Sequence, residues 1–248
     1  GPTASIESVL IDGEVPVTVG VDETDDSDNL ADPFSIGTPL GVDTATMVTT
    51  SGSDAGEDEE GADTSVTLEI VGGDGTDSGL NTTDGTDIML YDNSGVVEGR
   101  VGGETGDVAF ALGIDDNGLV TVAQYLSLEH PDSPDNYDEP VNLAGLVNAV
   151  VTVTDGDGDV ATDSVEIGGF ISFEDDGPTA EIGEEDASIM VDESADSDDV
   201  TGALGQASAV LVNATGSAYG EDEEGGTTEC SLWGTAGVDA GVNTTDGP

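Results

Sequence analysis

Apolar residues in this chain come in short runs that alternate with polar ones, and the runs stop at clusters of Gly, Asp and Asn. Val108-Ala109-Phe110-Ala111-Leu112-Gly113-Ile114 has period two, with Phe110, Leu112 and Ile114 on one face of a strand. Asp115-Asp116-Asn117-Gly118 supplies a hairpin turn, and Leu119 to Tyr125 returns as the partner strand. Val147 to Thr154 and Val160 to Ile167 predict a second hairpin around Asp155-Gly156-Asp157-Gly158-Asp159. Shorter strands are expected at Ser65 to Val71, Ile88 to Tyr91 and Val96 to Val101. No stretch shows a capped apolar face of period 3.6. The pattern predicts an all-β fold: an immunoglobulin-like or related β-sandwich repeat with long acidic loops and little helix.

The chain also repeats itself. Gly1-Pro2-Thr3-Ala4 recurs at Gly177 to Ala180, and Val21-Asp22-Glu23-Thr24 recurs as Val191-Asp192-Glu193-Ser194. Gly56 to Gly61 recurs identically at Gly220 to Gly225, and Asn81 to Gly85 recurs at Asn243 to Gly247. The offsets fall in order from 176 to 170, 164 and 162, as expected of one unit whose second copy has small deletions in its loops. A period this long predicts beads on a string rather than a solenoid. Residues 1–176 read as a complete domain with its linker, and 177–248 as the start of a second copy without the closing strands. A chain that opens on Gly1, without methionine or signal peptide, reads as a fragment or a processed product.

Charge narrows the possible functions. Among 248 residues, 56 are Asp or Glu, and Arg100 is the one Lys or Arg, giving a formal net charge of −55. Phosphate binding needs clustered Lys and Arg, so nucleic acid is excluded as a partner. The same sign excludes an anionic membrane surface, and no apolar run approaches the roughly 20 residues of a membrane span. So few aromatic residues with such charge would signal disorder, but 35% of the chain is hydrophobic and patterned into strands. Like charges this dense can be neutralised only by cations from the medium. Either the acids face salty solvent or some of them hold a divalent metal. Cys230 stands alone, which excludes an intrachain disulfide and a zinc cluster, and leaves calcium as the substitute staple for an extracellular domain.

The densest candidate site is Asp155-Gly156-Asp157-Gly158-Asp159, followed by Asp163 and Glu166. Counted from Asp155, acids fall at the ligand positions of an EF-hand loop. However, Val160 stands where that loop needs Gly, and the flanks are strands. A hairpin loop whose alternate carboxylates converge on one hard cation is the simpler reading, and calcium accepts such flexible oxygen geometry where magnesium does not. Asp163 is expected to belong to this set. A second candidate is Glu174-Asp175-Asp176 before Gly177-Pro178, where a calcium shared with acids like Asp22 and Glu23 of an adjacent domain would stiffen the junction. Each has a plain alternative, an acidic solvated turn and a flexible acidic linker. Gly72 to Asp77 is better read as a Gly-rich turn than as a nonapeptide calcium repeat, which needs tandem copies. His130, the sole histidine, reads as structural, and paired carboxylates are not diagnostic in so acidic a chain. No enzyme is expected.

Taken together, Val97 to Arg100, Val120 to Pro131, Val153 to Asp159 and Phe173 to Thr179 resemble the long acidic repeats of giant RTX adhesins, which leave Gram-negative bacteria by type I secretion. The resemblance implies an extracellular β-domain at the bacterial cell surface that folds on meeting millimolar calcium and serves cell adhesion and biofilm formation. Neighbouring repeats of the same polypeptide are its implied partners. Related domains bind peptide ends with help from calcium, so two roles stand open. One is a calcium-rigidified extender. The other is a module that binds a peptide or cell-surface ligand through the long loops 51–64, 72–86 and 131–140. Closed metal sites would favour the first, and a pocket beside an ion the second. A halophilic surface would explain surplus acids without specific sites.

Overall fold

The computed structural model describes residues 1–23, 31–57, 59–130, 140–175, 177, 179–184, 186–191, 207–218 and 227–232. Two compact units divide the chain near Gly177. Glu174 and Asp175 fall in the first, while Asp176 lies outside the described residues.

The first unit is all-β. Its strands are β1 (Glu7–Ser8), β2 (Leu10–Ile11), β3 (Val15–Pro16), β4 (Val19–Asp22), β5 (Gly41–Thr46), β6 (Val48–Thr49), β7 (Asp63–Ile70) and β8 (Thr76–Asn81). They continue with β9 (Asp87–Asn93), β10 (Val96–Val101), β11 (Val108–Ile114), β12 (Leu119–Gln124), β13 (Val141–Asn142), β14 (Val147–Thr154), β15 (Val160–Glu166) and β16 (Ile171–Glu174). A single 3₁₀ turn at Gly168–Phe170 is the helical element among the described residues. A six-stranded sheet, β5-β12-β11-β10-β9-β8, faces two three-stranded sheets, β13-β16-β4 and β15-β14-β7. Their apolar faces share one core, in which Phe110, Leu112, Val120, Val122, Val147, Val151 and Phe173 are fully buried. The expected β-sandwich is therefore the fold, and the predicted hairpins are β11–β12 and β14–β15.

Close packing makes glycine necessary at Gly99. It lies opposite Phe110 across β10 and β11, and a Cβ there would sit 2.5 and 2.7 Å from two ring carbons of Phe110. That ring packs in turn on Phe173, with centroids 4.8 Å apart. Gly99→Ala should therefore destabilise the domain by about 1–3 kcal/mol through overpacking, visible as a lowered denaturant midpoint at unchanged slope.

The outer face of the six-stranded sheet is covered by the segment around Phe34 and Ile36, packed on Ala111, Ala123 and Tyr125. Asp32 ties this segment down. Its carboxylate accepts the Tyr125 hydroxyl (2.7 Å) and the N–H groups of Phe34 and Gly37 (both 2.9 Å). Desolvation pulls the other way, but Tyr125 and the N–H groups of Phe34, Gly37 and Ile36 hold the Asp32 carboxyl below its ordinary value of 3.8. Burial and then Asp32 push the Tyr125 phenol up. A depressed carboxyl stabilises the fold above its unfolded pKa and loses that contribution as pH falls through the folded one. Asp32→Asn should flatten the acid limb of stability below about pH 4 relative to the parent chain, measured by urea titrations at stepped pH.

The N-terminal segment clasps the acidic loop before β7. Thr3 and Asp54 exchange backbone hydrogen bonds (2.7 and 2.9 Å), and the Ser53 hydroxyl bridges the N–H and C=O of Ser5. The described residues of the loop at 51–64 are tied to the N-terminal segment by this pairing. In the second unit, Thr179 pairs with Ala218, the Ser217 hydroxyl bridges the N–H and C=O of Glu181, and β17 (Gly183–Glu184) pairs with β18 (Val212–Asn213). Each contact matches one of the first unit at the offsets 176 and 164 already read from the sequence, down to the β1–β6 register Glu7↔Thr49.

Candidate metal centre

The β14–β15 hairpin turns over five residues. Asp155 accepts the Gly158 N–H on its carbonyl (3.1 Å), donates its own N–H to the Asp159 carbonyl (3.0 Å) and takes the Asp159 N–H on Oδ1 (2.9 Å). Gly158, at φ 95°, occupies a left-handed conformation that disfavours a side chain. This closure brings Asp155, Asp157 and Asp159 together, with one carboxylate oxygen of each within 4.8 Å of the others. Asp157 and Asp159 are exposed, and Asp155 is 3% exposed.

Asp155 is the informative member. Its Oδ2 is buried and has no hydrogen-bond partner among the described residues. Contact with the Asp157 carboxyl, opposed by desolvation and helped by the N–H groups of Asp159, Asp157 and Gly158, holds the Asp155 carboxyl below the usual range. A buried carboxylate oxygen crowded by two further carboxylates calls for a cation. The donor set is all oxygen, which suits a hard metal ion.

Asp163, expected to extend this set, and Glu166 behind it make other contacts. Asp163 lies four residues beyond Asp159, about 13 Å along the extended β15 strand. Its carboxylate accepts the N–H groups of Ile6 (3.1 Å) and Ser164 (3.0 Å), fastening the N-terminal segment to the sheet. Glu166 accepts the N–H groups of Gly145 (3.0 Å) and Gly169 (2.8 Å). The EF-hand spacing fails because the loop ends at Asp159 and a strand begins.

The second predicted group takes a different form. β16 and β4 pair in parallel, with Asp22 opposite Glu174. Glu23 donates its N–H to the Glu174 carbonyl (3.3 Å). Asp22, Glu23, Glu174 and Asp175 thus meet within the first unit, rather than being drawn from an adjacent domain as expected. Glu23 is 4% exposed, and its Oε1 accepts the Leu128 N–H (3.3 Å) and the side-chain amide of Gln124. Sequence reasoning missed Gln124, although it continues the inward alternation of Val120 and Val122. Gly72 to Asp77 forms the expected turn, in which Asp74 accepts the Asp92 N–H (2.8 Å). His130 is buried.

A β-sandwich with a carboxylate cluster able to hold a metal ion at one hairpin defines the class. The chain belongs to the DUF5801 family, a domain of unknown function, whose model matches residues 18–168, from just before β4 to just past β15. No curated protein and no solved structure matches it. Among the described residues, no helix is long and apolar enough to cross a membrane.

Proposed function

We propose that the first unit is a calcium-binding repeat domain of a bacterial surface adhesin, in which bound calcium stiffens the domain as an extender in cell adhesion. The observation that carries the calcium reading is the buried Oδ2 of Asp155, without a hydrogen-bond partner among the described residues, within the three-aspartate turn. Calcium suits an exposed hairpin that supplies a few carboxylates and leaves room for water, because it tolerates six to eight oxygens in irregular geometry. Arg100, the one Lys or Arg, is engaged with Glu98, so the neutralising charge for the turn must come from solution. The adhesin and its export to the cell surface rest on the resemblance of the acidic repeats.

The extender role is favoured over peptide binding by the position of a cleft among the described residues. A cleft of about 450 Å³ is lined by Pro33, Phe34, Val66, Ile114 and Leu119, and none of the three aspartates borders it. A binder would need its pocket beside the ion. Isothermal titration of the full chain with calcium tests the reading. Heat of binding should be seen with calcium and be weak with magnesium, and Asp157→Asn with Asp159→Asn should remove at least one site. Equal binding of both cations would leave only a screened acidic surface, and no loss in the double variant would remove the hairpin site.

A further inference from the structure

A second group of buried oxygens lies at the ends of β4, β12 and β16. The alternation Val19, Val21 on β4, continued by Glu23 just past its end, and Val120, Val122, Gln124 on β12 carries two polar side chains into positions where valine is otherwise buried. Gly41, opposite Gln124 on β5, lets β4 approach closely: a Cβ there would collide with Val21 and lie 3.0 Å from the Asp22 carbonyl oxygen. Gln124 is completely buried. Its Nε2 donates to Glu23 Oε1 and to the Leu126 carbonyl (3.1 Å), which uses both amide hydrogens and fixes which end is nitrogen. The amide oxygen is left at the same spot, buried and with no hydrogen-bond partner among the described residues. Glu23 Oε2 and Asp175 Oδ1 are likewise shielded from solvent. Glu23 and Asp175 each stand one residue past the last pair of the parallel β4–β16 register, Asp22↔Glu174.

The Gln124 amide oxygen lies beside a buried carboxylate, acceptor next to acceptor, and a buried amide oxygen is seldom left unpaired. We propose that Gln124 Oε1, Glu23 and Asp175 hold a hard divalent cation of the calcium type, for which a neutral amide carbonyl is an ordinary ligand. This cation would join β4, β12 and the end of β16, three strands from two sheets, where the hairpin cluster joins two neighbouring strands of one. It shares with the proposed function only the premise that cations come from the medium.

Equilibrium dialysis of the full chain with calcium tests it, in an Asp157→Asn, Asp159→Asn background. That background should retain calcium, and adding Glu23→Gln should remove one further ion per chain. Gln124→Glu supplies an extra charged ligand. It should bind calcium about tenfold tighter, melting above its background in calcium and below it in EDTA, where two buried carboxylates would face each other without the ion. If Glu23→Gln does not fold, this crossover decides by itself. An unchanged calcium count, or a Gln124→Glu chain that melts lower in both media, overturns the second site and leaves the hairpin site standing. A hairpin variant that loses no calcium while Glu23→Gln does would overturn the hairpin reading and leave this one.

Discussion

Replacing Arg100 by methionine should destabilise the domain by roughly 3 kcal/mol and lower its melting temperature by about 6–12 °C. Arg100 donates through Nε to Glu98 Oε2 (2.7 Å) and through a terminal nitrogen to the Gly106 carbonyl (3.0 Å). Asn93 adds a hydrogen bond to the other oxygen of Glu98 (2.9 Å). Glu98 itself is 3% exposed, opposite Ala111 on the sheet face covered by Phe34 and Ile36. Removing the guanidinium strands a carboxylate under an apolar cover, and breaking such a pair costs more than the pair contributes. The account therefore predicts recovery when Glu98 is also made apolar: Glu98→Leu with Arg100→Met should regain most of the lost stability, as measured by a double-mutant cycle in urea. A loss below about 0.5 kcal/mol for Arg100→Met would show that Glu98 needs no such partner.

The second large effect concerns the hairpin. Asp157→Asn with Asp159→Asn should change stability in opposite directions with and without calcium. Without the ion, the three carboxylates repel at short range, so the variant should melt above the parent chain in EDTA. With calcium a thousandfold above its dissociation constant, one site adds about 4.1 kcal/mol to the parent chain, and the variant should lose that gain. Asp155 is kept in this pair because its Oδ1 closes the turn on the Asp159 N–H. A variant that melts below the parent in both media would have suffered a simple packing or turn defect.

Local features of the fold were legible in the chain because they depend on neighbours in sequence. Phe110, Leu112 and the Asp115–Gly118 turn fix the β11–β12 hairpin by period and turn chemistry alone, and the Asp155–Asp159 turn is similarly self-contained. The parallel pairing of β4 with β16 was not legible. Its strands have four residues each and lie at opposite ends of the unit, and nothing local distinguishes their partners. Misplacing that pair moved the Glu174–Asp175 group to a junction between domains. Asp163 was misread because a ligand count along a loop ignores where the strand resumes. Glu23 stood among the candidate ligands, whereas Gln124 was readable only in principle, since it extends the buried alternation of Val120 and Val122 by one step. In a chain with 56 acids, however, one more polar residue at a strand end drew no notice. The pairing of Arg100 with Glu98 follows from two residues of spacing on one strand face, again a local signal.

The central claim, that specific calcium sites rather than general screening stabilise this acidic domain, is tested most directly by thermal melts of the full chain followed by circular dichroism. The melts would be run in EDTA, in millimolar calcium, in matched magnesium and in concentrated sodium chloride. The account predicts a β signal and a melting temperature that rise with calcium well beyond what magnesium or sodium chloride achieves. Equal stabilisation by all three salts would contradict it, and would make the acids a screened halophilic surface.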